Sequence, residues 1–247
     1  MTKKDDTIDL SFLRKVAPKQ DWYLKIRPKV KKLVKTIEED PSRKKQIKEQ
    51  VLTEVETLLA EEKLFLGSKE PRLDQERQPI DTIIIHHTSS KPGITLKRLN
   101  AMHLINIYMP YFQNPTLKSE RWFKGSPITS NHLINGKPVF YAYHWLVRMD
   151  GTTERLLPDS ALTWHAGNWS VNCRSVAICL DNDYETTDPE DSIVVALANL
   201  IRRNYPSVKA VNIMGHRDVK LNGETSCPGT NFDEWKKKLI KLVEQRD

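Results

Sequence analysis

From residue 80 onward the chain alternates two textures: short β-branched or apolar runs, and longer stretches whose apolar positions recur every three or four residues. Thr82–His87 reads Thr-Ile-Ile-Ile-His-His, an unbroken run that predicts a buried strand ending in histidines. Residues 95–105 place Leu96, Leu99, Met102 and Ile105 at helical spacing. Residues 139–148, Ser175–Leu180 and residues 208–214 predict further strands, and Asp150-Gly151 supplies a turn into residues 153–157. Residues 190–204 predict a helix, and residues 232–244 an amphipathic closing helix capped near Thr230. The stretch 108–138 breaks the pattern with four prolines and the aromatics Tyr108, Tyr111, Phe112, Trp122 and Phe123. An irregular segment of that length is often functional, which makes its Trp122 and His132 candidate substrate contacts.

Before residue 80 the pattern is helical and polar. Ser42 can cap a helix in which Ile47, Val51, Leu52, Val55, Leu58 and Leu59 share a face. A second helical stretch, residues 22–37, is expected to start or break near Pro28, where a mid-helix proline costs about 3 kcal/mol. Residues 68–79 are polar and carry prolines, so they read as a linker. The expected organisation is a helical accessory region with linker over residues 1–78 and an α/β domain over 79–247. Its fold class is a mixed central sheet flanked by helices.

Composition narrows the class. The 247 residues are 38% hydrophobic and 29% charged, ordinary for a globular protein. A formal net charge of +7 suits an anionic partner without choosing among nucleic acid, lipid and polymer. No stretch approaches the roughly 20 apolar residues of a membrane span. Three cysteines, Cys173, Cys179 and Cys227, are too few for a disulfide framework, so a reduced compartment or a metal-ligand role is the better reading.

The chemistry-bearing candidates are His86 and His87 at one strand end, His216 at another, and Cys227 in a loop before the last helix. Catalytic zinc needs three such ligands and an open position. These residues are too far apart for spacing alone to identify ligands. A histidine closing a strand is more commonly structural, and a free cysteine more commonly a small buried hydrophobe. His103, Cys173 and Cys179 read as packing, and Lys91, Arg98 and Arg148 as solvated surface.

Four segments carry a resemblance: Ile-Ile-Ile-His86-His87-Thr, Tyr143-His144-Trp-Leu-Val-Arg-Met-Asp-Gly, Trp164-His165-Ala-Gly-Asn, and Gly215-His216-Arg-Asp with Thr-Ser-Cys227-Pro-Gly. In order and approximate spacing they resemble the type 2 N-acetylmuramoyl-L-alanine amidases, which include phage lysozyme-type amidases and the peptidoglycan recognition proteins. The resemblance covers residues 80–245. It implies a hydrolase that cuts the amide between muramic acid and L-alanine in peptidoglycan or muropeptides, with Zn2+ as cofactor. It implies His86, His216 and Cys227 as metal ligands, and Tyr143 as the residue that orients the attacking water or hydrogen-bonds the tetrahedral intermediate. His165 matches a histidine lining the substrate cleft, where it is expected to donate to the developing oxyanion or to protonate the leaving amine. Thr225 completes the expected catalytic set, standing where phage-type members have lysine, so the group that stabilises the oxyanion stays open. Strand alternation turns His87 away from His86.

The alternative implied by the same family is a recognition protein that binds muropeptides without turnover. Non-catalytic relatives typically lose the cysteine ligand, and Cys227 is present. Nucleic acid is not an expected partner. Residues 1–13 show no long apolar block, so cytoplasmic synthesis without a signal peptide is expected, with any release to the wall by a non-classical route.

Overall fold

The computed structural model describes residues 10–35, 40–68, 72–113, 125–221 and 223–245. Along the chain, helices α1 (Ser11–Val16), α2 (Trp22–Lys35) and α3 (Pro41–Ala60) come first. Strand β1 (Thr82–His87) follows, then α4 (Leu96–His103), a π-helical turn (Leu104–Tyr108) and α5 (Met109–Gln113). Next come β2 (His132–Ile134), β3 (Lys137–Val139), β4 (Trp145–Val147), β5 (Thr153–Arg155), α6 (Trp169–Arg174) and β6 (Ser175–Leu180). The chain closes with α7 (Asp191–Asn204), β7 (Ile213–Gly215), α8 (His216–Val219) and α9 (Phe232–Glu244). Among the described residues no helix is long and apolar enough to cross a membrane.

Two compact units interleave in sequence: Met1–Pro71 with Thr95–Phe140, and Arg72–Ile94 with Tyr141–Asp247. The division therefore departs from a single boundary near residue 78, because residues 95–140 group with the N-terminal helices.

In the first unit α3 packs on α4. Its start is capped by Asp40 rather than Ser42: the carboxylate accepts from Ser42 N at 2.9 Å and Arg43 N at 3.2 Å, with Pro41 in the first turn. Ile47, Val51, Val55 and Leu58 form its buried face. Helix α2 runs through Pro28 without breaking. Leu24 and Pro28 are both exposed, so the carbonyl that loses its helical donor is open to water. The stretch expected to be irregular holds α5 and the β2–β3 hairpin, whose Asn135-Gly136 loop has φ of 51° and 74°. Both values suit a two-residue type I′ turn, for which Asn-Gly is the preferred pair. Trp122 lies outside the described residues.

In the second unit a five-stranded sheet runs in the order β5-β4-β6-β1-β7. Strand β1 is parallel to β6 and β7, β4 is parallel to β6, and β5 is antiparallel at the edge, so the sheet is mixed. One face carries Ile83, Ile85, Val176, Ile178 and Ile213 against Leu197 and Ile201 of α7 and Phe232, Trp235 and Leu239 of α9. The strand expected over residues 139–148 is two short pieces. Between them Phe140 N donates to the Asn100 side chain at 2.7 Å, so the ladder resumes only at His144 N, which donates to Ala177 O. The strand expected over 208–214 starts at Ile213, since residues 210–212 form a 3-10 turn whose Asn212 N donates to Lys209 O.

Candidate metal centre

The two faces of β1 decide which histidine enters the site. Ile83 and Ile85 face the α7–α9 core, whereas Ile84 packs with Ala166, Val171 and Val219 on the opposite face. Period-two alternation sends His86 to the side of Ile84 and His87 to the side of Ile85. His87 is accordingly held away from the site: its Nδ1 accepts from Tyr184 N at 2.9 Å, and Nε2 meets Ser89 Oγ at 2.9 Å.

His216 follows β7, the strand beside β1. A Cβ at Gly215 would lie 2.8 Å from Pro228 and 2.9 Å from Phe232, so only glycine lets the Cys227-Pro228 loop press on this strand end. Arg217 N donates to Cys227 O at 2.9 Å and stitches the two segments together. Thr225 Oγ1 accepts from Cys227 N at 3.3 Å, so its hydroxyl shapes the cysteine loop.

Among the described residues, His86, His216 and Cys227 are the group of metal-ligating side chains that converge, with one candidate ligand atom each and all three within 4.8 Å of one another. Cys227 Sγ lies 3.7 Å from His86 Nδ1. Tetrahedral bonds of about 2.3 Å to sulfur and about 2.05 Å to nitrogen require a separation near 3.6 Å. The donor set and this spacing fit zinc. Burial pushes the Cys227 thiol up to about 12 and lowers His216 to about 4. The imidazole is thus neutral at pH 7 and the thiol keeps its proton until a cation replaces it.

Tyr143 stands beside this group, its ring centroid 4.9 Å from that of His86. Burial first, and the Cys179 and Cys227 thiols next, hold its phenol well above the usual value, so it is a donor rather than a base. His165 is only 4% exposed. Its Nδ1 faces His86 Nε2 at 3.1 Å and its Nε2 faces Ser175 Oγ at 3.1 Å. Burial keeps its pKa well below that of an ordinary histidine. Its backbone N, with Ala166 N, donates to Asn172 Oδ1, which fixes the loop.

The remaining candidates are structural in their surroundings. His144 Nδ1 accepts from Ala177 N at 3.0 Å and Nε2 reaches Ala161 O at 3.0 Å, bridging β6 to a neighbouring loop. His103 and His132 are buried in the helical unit, and Cys173 and Cys179 are buried thiols outside any disulfide. Arg148 is not simply solvated surface. It clamps Asp181 and Glu154, while Asp181 also accepts from Gly93 N and Ile94 N in the loop after β1. Ser175 was missed by sequence reading, since a serine opening a strand carries no distinctive signal.

These features define an α/β protein in which His86 and His216, at the ends of adjacent parallel strands, meet Cys227 of the loop before α9, with His86 and Cys227 buried and His216 half-buried. A family described as N-acetylmuramoyl-L-alanine amidase matches residues 76–230, well over half of the chain, and the chain belongs to that family. Similar solved structures include the endolysine N-acetylmuramoyl-L-alanine amidase LysCS from Clostridium intestinale URNW. It is 22% identical, with a TM-score of 0.43 over 66% of this chain and 85% of that one. The Ph2119 endolysin from Thermus scotoductus MAT2119 bacteriophage Ph2119 is 18% identical, with a TM-score of 0.44 over 68% and 87%. Drosophila PGRP-LB is 20% identical, with a TM-score of 0.42 over 68% and 89%. No curated protein matches the chain.

Proposed function

We propose that the protein is a zinc-dependent N-acetylmuramoyl-L-alanine amidase acting on peptidoglycan or muropeptides. The observation that carries this reading is the convergence of His86, His216 and Cys227, within a chain of the amidase family. These three residues would hold the ion. A zinc ion there supplies a Lewis acid for the scissile carbonyl and lowers the pKa of its water to about 7.

The chain's own residues supply orientation and hydrogen bonds. Tyr143, kept protonated, donates from its phenol to oxygen at the reacting centre, where negative charge develops as the carbonyl is attacked. Thr225, with its hydroxyl on Cys227 N, holds the thiolate-bearing loop in register. His165, beneath His86, acts on that ligand rather than on substrate.

The test is to incubate the zinc-loaded chain with purified sacculi and with soluble muropeptides and to identify the released ends by mass spectrometry. New L-alanine amino termini together with free lactyl carboxylates support the reading. Tight muropeptide binding with no new ends replaces it with recognition without turnover. In the same series, His216→Ala should lose both the metal, about one per chain in the wild type, and the activity.

A further inference from the structure

Ser175 and His165 form a short chain of hydrogen bonds with a direction that can be deduced. Ser175 Oγ lies 2.6 Å from Val171 O, a carbonyl that only accepts, so the single hydroxyl proton goes there. Toward His165 Nε2, 3.1 Å away, the same oxygen must therefore accept, which puts a proton on Nε2. The partners of the His165 ring are a hydroxyl and an imidazole. Neither is anionic, so a doubly protonated ring would bury a charge without a counter-ion. Nδ1 of His165 is then bare and accepts from His86 Nε2 at 3.1 Å. His86, with its proton on Nε2, presents a bare Nδ1 to Cys227 Sγ.

We propose that Ser175 and His165 are positioning residues that fix the tautomer and ring plane of His86, so that Nδ1 is the atom offered to the metal. The relay runs from a main-chain carbonyl through a hydroxyl and one imidazole to the next, and every member of it is buried. Such outer partners typically change metal affinity by about 10- to 100-fold when removed. The inference rests on His86 being a zinc ligand, as proposed above, but its first test needs no metal.

In the metal-free full-length chain, nitrogen-15 spectra of the histidine rings should show His86 and His165 neutral and protonated at Nε2. A proton on Nδ1 of His86 overturns the proposal. In the second test, zinc affinity is read by competition with a chromogenic chelator. Ser175→Ala and His165→Leu should each weaken it by about 10- to 100-fold. His165→Asn places an amide oxygen near the position of Nδ1 and should restore most of the loss, a recovery that a merely space-filling residue would not give. Wild-type affinity in a folded Ser175→Ala chain, or no recovery in a folded His165→Asn chain, counts against the relay. Should Ser175→Ala fail to fold, the wild-type ring spectra decide. A wild-type chain that takes up no zinc defeats the proposed function instead, and the relay then stands or falls on those spectra.

Discussion

On the proposed function, Cys227 is expected to set the pH behaviour of metal uptake. Its buried thiol, pushed up to about 12, must release a proton to become a ligand, whereas His216, lowered to about 4, is already neutral at pH 7. Zinc binding is therefore expected to release about one proton per ion near neutrality, and affinity should rise about tenfold per pH unit as long as the free thiol is protonated. Calorimetry in buffers of different ionisation enthalpy measures this directly, and zero release would remove Cys227 from the ligand set. Tyr143→Phe should keep zinc and substrate binding but lower kcat by about 10²–10³-fold, typical for loss of one oxyanion donor. An unchanged kcat would exclude the phenol from the reaction. At this scale the sequence made much legible: alternation along Ile83–Ile84–Ile85 separates His86 from His87, and the motif order pairs them with distant residues. The environment of His165 was not legible, because its depth depends on Ser175 and Asn172, partners 10 and 7 residues away that no motif connects to it.

Elements were readable where one rule dominates and not where two compete. The helix carrying Val51, Val55 and Leu58 follows from periodicity alone, and β1 from its β-branched run. A helix was expected to start or break near Pro28, yet α2 runs through it, with Leu24 and Pro28 both exposed so that the lost bond costs less than it would in a core. Asn135-Gly136 is a strong hairpin signal, masked by the surrounding prolines and aromatics of a segment read as irregular. Burial along α3 gives a prediction of its own. Leu58 is fully buried, so Leu58→Ala should cost about 2–5 kcal/mol in denaturant unfolding of the helical unit, and a loss under 1 kcal/mol would mean the site collapses around the gap. His103 on α4 adds a pH term. Burial lowers its pKa to about 3, so the folded state binds fewer protons than the unfolded one below about pH 6.5. That contribution is complete above pH 6.5 and is lost as the pH falls toward 3. Urea midpoints at pH 7 and pH 5 should show the decline, and His103→Asn should flatten it.

Across the whole molecule, charge and chain path matter most. Helix α2 exposes Lys25, Arg27, Lys29, Lys31, Lys32 and Lys35 and has no acidic residue. Reversing Lys31 and Lys32 to Glu should weaken binding to anionic, polymeric wall at low salt while leaving turnover of soluble muropeptides unchanged. The difference should vanish near 1 M salt, where the Debye length is about 3 Å. Equal binding of both forms at low salt would show that this face is only solvated. The chain path bears on how such proteins are recombined. Because residues 95–140 group with the N-terminal helices, the backbone passes from one unit to the other three times, and α4 packs on a helix some 40 residues earlier in the chain. A chain beginning at Pro79 would strip α3 from α4 and is expected to aggregate. In hybrids with other members of the family the helical unit therefore cannot be exchanged by a single crossover. Two separate stretches, one on each side of the His86 strand, would have to be inherited together, and a library of single-junction chimaeras should recover soluble members only when both come from the same parent.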